Sequence, residues 1–238
     1  MNIFPIRPKL LSCRIIPSID KCLAKSLGCS EKHNSVGIVT CDQDDSMYVA
    51  LDHATKFADV DVVYAKSFYA GSAHSSGPIS GEIMGVLAAT NPDHIKEGLL
   101  ALRQSLEDEI SFYGIGHGHG HGHDHDHDQY KGVTFFPHVV PSIGSYLASI
   151  SGLSVGTPMA YLIAPPTESL IAVDHALKTA DVKLVKYFAP PTETNFGGAY
   201  LTGAVHSVEA AARAFAEMII EISLHPLIAD QNPFRLRR

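Results

Sequence analysis

Between residues 117 and 128 the chain reads His117-Gly118-His119-Gly120-His121-Gly122-His123-Asp124-His125-Asp126-His127-Asp128, six of its fourteen histidines in one tract. Imidazole nitrogens with interspersed carboxylates suit zinc, nickel or copper. His117, His119, His121, His123, His125 and His127 are therefore candidate ligands for a transition metal. Alternating glycine and aspartate leave the tract no apolar face, so it cannot join a core and reads as a flexible connector. Nothing else in the chain implies a cofactor, and none is required.

Other patterns with chemical potential fail on context. Gly152-Leu153-Ser154-Val155-Gly156 fits GxSxG, but a nucleophile elbow runs strand, tight turn, helix, whereas here a helical stretch precedes and a strand follows. Asp42-Gln43-Asp44-Asp45 begins like a calcium loop, yet the required glycine is absent and the twelfth position is His53 rather than glutamate. Gly114-Ile115-Gly116-His117-Gly118 is no dinucleotide fingerprint, since no strand is expected to lead into it and no helix to follow. There is no HExxH zinc motif. His53 and His175 sit beside Asp52 and Asp174 at equivalent positions, and a pair duplicated in this way reads as packing or interface, not as two active sites.

That equivalence belongs to a larger pattern. The run from Val49 to Val63 returns from Ile171 to Val185 at a constant offset of 122, with nine of fifteen positions identical. Upstream, Ile15-Ile16-Pro17-Ser18-Ile19 with Leu23, Ala24 and Gly28 reappears as Val139-Val140-Pro141-Ser142-Ile143 with Leu147, Ala148 and Gly152. Both echoes keep their order and nearly their spacing, so a whole domain is duplicated. The period is far longer than the roughly 20–50 residues of a solenoid repeat. The division expected is a first domain over 1–115, a linker over 116–129 and a second domain over 130–238.

Apolar residues make up 45% of the chain and charged residues 18%, with a net charge of −7. This is the composition of a folded protein without a basic surface for nucleic acid. No stretch approaches the ~18 apolar residues of a membrane span, and the first residues lack a signal-peptide pattern. A cytoplasmic protein is expected, bound to neither membrane nor nucleic acid. Cys13, Cys22, Cys29 and Cys41 all lie in the first copy without CxxC spacing, which points to reduced, structural thiols.

Within each copy the periodicity predicts the same elements. A strand (13–17; 138–141) leads through a short helical stretch to a second strand (36–39; 160–163). The alanine-rich helix of the repeat follows and runs into a third strand (60–64; 182–187). After a long loop comes a fourth strand (83–87; 199–202) and a closing helix. In the first copy that helix has Asn91 as cap, Pro92 and Asp93 in its first turn, and a face of Ile95, Leu99, Leu102 and Leu106. In the second, Ser207 is the expected cap, with Val208, Ala211, Phe215, Met218 and Ile222 as the apolar stripe. Helices on one face of a four-stranded sheet make each copy an α+β sandwich.

The run from Asp174 to Val185, then Ala199-Tyr200-Leu201-Thr202-Gly203-Ala204 and an alanine-rich helix, resembles the core of a bacterial microcompartment (BMC) shell domain. The strand ending at Pro17 or Pro141 resembles one that closes the ordinary shell domain, yet here it opens each copy, which implies circular permutation. With Tyr64 to His74 and Pro190 to Asn195, the tandem permuted pair is similar to the L-type shell protein family of ethanolamine-utilisation compartments. The His-rich tract and the basic tail at Arg235, Arg237 and Arg238 are departures from it.

The resemblance implies a homotrimer whose six domains tile a microcompartment facet beside other shell proteins, a structural role rather than an enzymatic one. It also places the loops 67–80 and 189–197 around a gated central pore, with Ser67, Ala73, His74, Ser75, Thr192, Glu193, Thr194 and Asn195 as lining. Finally it implies a small-molecule site, holding a cation such as ethanolamine, at Asp44, Asp45, Glu82 and Phe112. Carboxylates and an aromatic face suit an ammonium group. The alternatives are a metal-binding protein acting through the His tract, or a metabolite sensor, on the same fold. Tiles assemble into trimers and flat sheets, and neither alternative does.

Overall fold

The structure is a computed structural model that describes residues 2–68, 82–116, 133–189 and 196–224. In chain order the first copy has β1 (Asn2–Ile6), β2 (Leu10–Ile16), α1 (Lys21–Ser26), β3 (Ser35–Cys41), α2 (Asp44–Phe57), β4 (Asp61–Phe68), β5 (Glu82–Ala89), α3 (Pro92–Asp108) and β6 (Phe112–Gly116). The second has β7 (Val133–Val140), α4 (Ser145–Ser151), β8 (Met159–Ala164), α5 (Pro166–Thr179), β9 (Val182–Phe188), β10 (Gly197–Gly203) and α6 (Val205–Leu224).

The duplication is visible in the sheets. Four antiparallel strands are ordered β2-β3-β5-β4 in the first copy, and the same four positions recur as β7-β8-β10-β9 in the second. The second sheet carries two strands beyond the expected four. β6 pairs with β7, and β1 pairs with β6, so both ends of the first copy's sequence extend the second copy's sheet to six strands. Pro5 is tolerated in β1 because, among the described residues, that strand is paired on one side only.

The helices bury the faces their periodicity sets. Met47, Ala50, Leu51 and Ala54 of α2 recur at helical spacing and are fully enclosed. Leu51 can approach the sheet because Gly85 of β5 lies below it, where a Cβ would come within 2.8 Å of the Leu51 methyl. Asn91 caps α3 as expected, its Oδ1 accepting from the amides of Asp93 (3.0 Å) and His94 (3.1 Å). Ser207 is not the cap of α6. That helix starts two residues earlier, at Val205, and Ser207 is buried in its first turn.

The core of the first copy is continuous with residues of the second. Val39, Met47, Leu51 and Leu106 share one cluster with Phe136, Leu147, Met159 and Tyr161, while the α5–α6 layer has its own. All four cysteines are free thiols. Among the described residues no helix is long and apolar enough to cross a membrane.

Candidate functional site

Two polar constructions occupy the boundary between the copies. The first is built where α2 begins. Gln43 precedes the helix and is tied to β1 through its amide, which donates to the Ile6 carbonyl at 3.2 Å. Its Oε1 accepts from the Ser46 hydroxyl at 2.8 Å. Asp44 and Asp45 then form the first turn, where carboxylates favour the positive end of the helix. Both are buried; the Asp45 amide donates to Asp44 Oδ1 at 2.8 Å. The Tyr161 hydroxyl, from β8 of the other copy, donates to Asp45 Oδ1.

Around that contact stands a wall of rings supplied by the second sheet. Tyr161 and Tyr200 are cross-strand partners on β8 and β10, and their rings meet edge to face with centroids 4.6 Å apart. Phe188 meets Tyr200 edge-on at 4.7 Å, and Phe136 meets Tyr161 edge-on at 5.6 Å. Phe112 of β6 stacks on Phe136 at 4.8 Å, so it reaches Asp45 through Phe136 and Tyr161. Burial, reinforced by the Asp45 charge, holds the Tyr161 phenol well above its ordinary pKa. Burial likewise raises Tyr200. Both tyrosines therefore stay neutral hydroxyls beside a carboxylate. His138, stacked on Phe136 at 5.2 Å, is pulled down to about 4 by burial and by Lys56, which keeps it neutral as well.

Carboxylates and aromatic ring faces are the groups that can receive an organic cation. Of the residues expected there, Asp44, Asp45 and Phe112 are brought into one network. Glu82 opens β5, at the sheet end where Cys41 of β3 pairs with Ile83; its side chain lies outside the described residues. Tyr161, Tyr200, Phe136 and Phe188 were not singled out by the sequence. The signal that could have found them is a pair of tyrosines at matching depth in two apolar strands.

The second construction lies further along α2. Asp52 is completely enclosed, and its two oxygens accept from backbone amides of the other copy: Gly144 at 2.7 Å and Leu147 at 2.8 Å. Thr55 Oγ1 accepts from the Ser145 amide at 3.2 Å, and Lys56 donates to the Ser142 carbonyl at 3.2 Å. α4 has no capping side chain of its own, so a carboxylate from the first copy caps it. Gly144 leaves the space for this, since a Cβ there would sit 2.7 Å from the Asp52 carbonyl oxygen. Asp174, the repeat counterpart of Asp52, is exposed and bonds Lys178 of its own helix at 2.7 Å.

Ser67, expected in a loop, is instead a buried residue of β4, its backbone paired with Ile83. Ala73, His74, Ser75, Thr192, Glu193, Thr194 and Asn195 lie outside the described residues, as do His117, His119, His121, His123, His125 and His127. Among the described residues no group of three His, Cys, Asp or Glu side chains could hold a metal ion. The GxSxG motif runs helix, turn, strand: Gly152 ends α4 in the left-handed region at φ 77°, and Ser154 is exposed in the turn before β8. This is the reverse of an elbow.

The BMC domain family matches residues 35–92, starting at β3 and leaving β2 outside. The bacterial microcompartment shell protein EutL of Clostridium perfringens is 42% identical over 222 residues, covering 93% of this chain and 97% of that protein. EutL of Salmonella typhimurium is 39% identical, over 93% and 96%. The crystal structure of ethanolamine utilization protein EutL from Leptotrichia buccalis superposes with a TM-score of 0.84 at 41% identity, covering 95% of this chain and 99% of that one.

Proposed function

The chain belongs to the EutL family of bacterial microcompartment shell proteins, built from tandem permuted BMC domains, and on that premise we propose that three copies close into one six-domain tile of the shell. The observation that carries this reading is the joint between the copies. Two sheets of the same strand order are fixed to each other by the enclosed Asp52 and a shared core. One chain is thus a rigid third of a ring, and heterologous contacts make a ring when the rotation closes. The role is structural, not enzymatic, and its setting is a compartment shell in the bacterial cytoplasm beside other shell proteins.

Segments 69–81 and 190–195 join equivalent strands, β4 to β5 and β9 to β10. We assign the pore and its gating to them, with Ala73, His74, Ser75 and Thr192, Glu193, Thr194, Asn195 as lining. The boundary acids Asp44 and Asp45, with Glu82 and Phe112, are assigned to a small organic cation such as ethanolamine. The support is the carboxylate and ring-lined chemistry.

Light scattering at micromolar concentration should give the trimer mass, and electron microscopy of concentrated protein should show flat sheets. A stable monomer refutes the tile; a discrete oligomer that never forms sheets favours a sensor. Calorimetry with ethanolamine and choline tests the ligand separately. Asp45→Asn and Glu82→Gln should each weaken the heat, and an unchanged heat in both removes the assignment.

A further inference from the structure

The two copies diverge at one place from opposite sides. The repeat aligns Asp44-Asp45 at the start of α2 with Pro166-Thr167 at the start of α5, so at this position only the first copy is acidic. The sheets show the complement. Ile16 pairs with Val36 and its counterpart Val140 with Met159, which puts Tyr161 and its cross-strand partner Tyr200 where the first sheet has Ile38 and Val86. At these positions only the second copy carries hydroxyls, and the fold sets them against the acids: the Tyr161 hydroxyl donates to Asp45 Oδ1. In the first copy aliphatic side chains fill the same sheet positions, with Val86 1% exposed. Packing alone therefore does not call for tyrosine.

We propose that Tyr161 is a positioning residue for the cation site, its hydroxyl holding the Asp45 carboxylate charged and in place for an organic ammonium group. This rests on the assignment of Asp44 and Asp45 to such a cation. Asp45 is 6% exposed, and burial beside a second carboxylate, Asp44, favours the neutral acid, which attracts no cation. The positive end of α2 opposes this, and a donor to the charged form opposes it further. Tyr161 is suited to be that donor. Burial and the Asp45 charge keep its phenol protonated, and β8 brings it from the opposite copy. Tyr200 stands behind it. Its hydroxyl is bonded to that of Tyr161, whose single proton points to Asp45, so Tyr200 donates. Two hydroxyls in series strengthen the last bond. The other groups around this chain of hydroxyls are already settled. Tyr146 and Asp52 lie beyond Tyr200, and Asp42, just past β3, accepts from the Lys9 amide at 2.7 Å. His138, stacked on Phe136 and lowered to about 4, stays neutral. Glu82 of β5 is the third acid assigned to the cation, and Tyr161 acts through Asp45 alone.

The test is calorimetric titration of the full chain with ethanolamine from about pH 8 down to about pH 5, a window in which an alkylammonium stays charged. Tyr161→Phe keeps the ring and removes the donor. It should weaken binding a few-fold at pH 8 and more than about tenfold at pH 5, because the pH at which protonation ends binding moves up by about one to two units. A tyrosine that only ties the copies together gives another result: a lower melting temperature, and binding weakened by the same factor at every pH. That constant factor overturns the inference. Where Tyr161→Phe does not fold by circular dichroism, Tyr200→Phe decides. It keeps the Tyr161 bond and removes its support, so its loss should also widen as pH falls, with smaller amplitude; a constant factor overturns the inference here too. If wild type gives no heat with ethanolamine at any pH, the cation assignment itself has failed, and the inference falls with it.

Discussion

Replacing Asp52 by alanine strips the cap from α4 and orphans the Gly144 and Leu147 amides in an enclosed site. Each buried donor left without a partner costs about 1–3 kcal/mol, which for two donors sums to roughly 2–6 kcal/mol, with the lost cap included rather than added. For a chain of this size 1 kcal/mol moves the melting temperature by about 2–4 °C, so a loss near 3 kcal/mol lowers it by about 6–12 °C. Asparagine keeps one acceptor oxygen and should lose about half as much. The internal control is Asp174→Ala: the same residue in the same local sequence, but exposed and bonded only to Lys178. Such a surface pair contributes no more than about 0.5 kcal/mol. Thermal and urea unfolding by circular dichroism, at one fixed protein concentration because assembly stabilises by mass action, measures all three. Equal losses for Asp52→Ala and Asp174→Ala would show that the capped joint is not what fixes the copies together.

Three further outcomes follow from the same geometry. Gly144→Ala forces a methyl against Thr55 Oγ1 and the Asp52 carbonyl oxygen, and should cost about 1–3 kcal/mol; Gly116→Ala, with nothing within 4 Å of the new methyl, should show no such loss in the same melts. His138 is neutral when folded, with its pKa lowered to about 4 from 6.5 by burial and Lys56. The unfolded chain therefore takes up a proton that the folded one refuses, so the contribution is complete above pH 6.5 and is lost as pH falls from 6.5 towards 4, by at most about 3 kcal/mol. His138→Gln should flatten urea-derived stability across that window; an unaltered slope refutes it. Replacing the six histidines of the 117–127 tract by serine should abolish zinc binding in calorimetry at pH 7.5. In the unaltered chain the binding should fade below about pH 6 as the imidazoles protonate.

The equivalent sheets were legible because a duplicated run carries its own registration: once Asp-His-Ala and the flanking Ala and Lys align at an offset of 122, the strands around them align too. β1 and β6 were not. Asn2–Ile6 is five residues with a proline, and Phe112–Gly116 holds two glycines; these breakers mask the short apolar runs around them, and the pairing that makes them strands spans more than 100 residues. Ser207 offered a cap signal, but the chain leaves β10 and begins to coil at Val205 before reaching it. Of the site, the acidic pair was legible as Asp44-Asp45, while Tyr161 looked like core because nothing local connects it to a carboxylate 116 positions away. Asp52 and Asp174 mark the limit most clearly. Their neighbours in sequence are nearly identical, and their environments differ only through what is brought against them from elsewhere in the chain.

Because β1 and β6 are neighbours in the second sheet, everything from Leu10 to Asp108 is a guest inserted between two adjoining strands of its host. The half-gene is not a half-protein. A ribosome releases β1 first, yet that strand waits for about a hundred residues before its partner exists, so the guest folds while the host's edge is still incomplete. Severing the gene between the repeats would strand β1 and β6 on the wrong fragment and bare the edge of β7, an open invitation to aggregation.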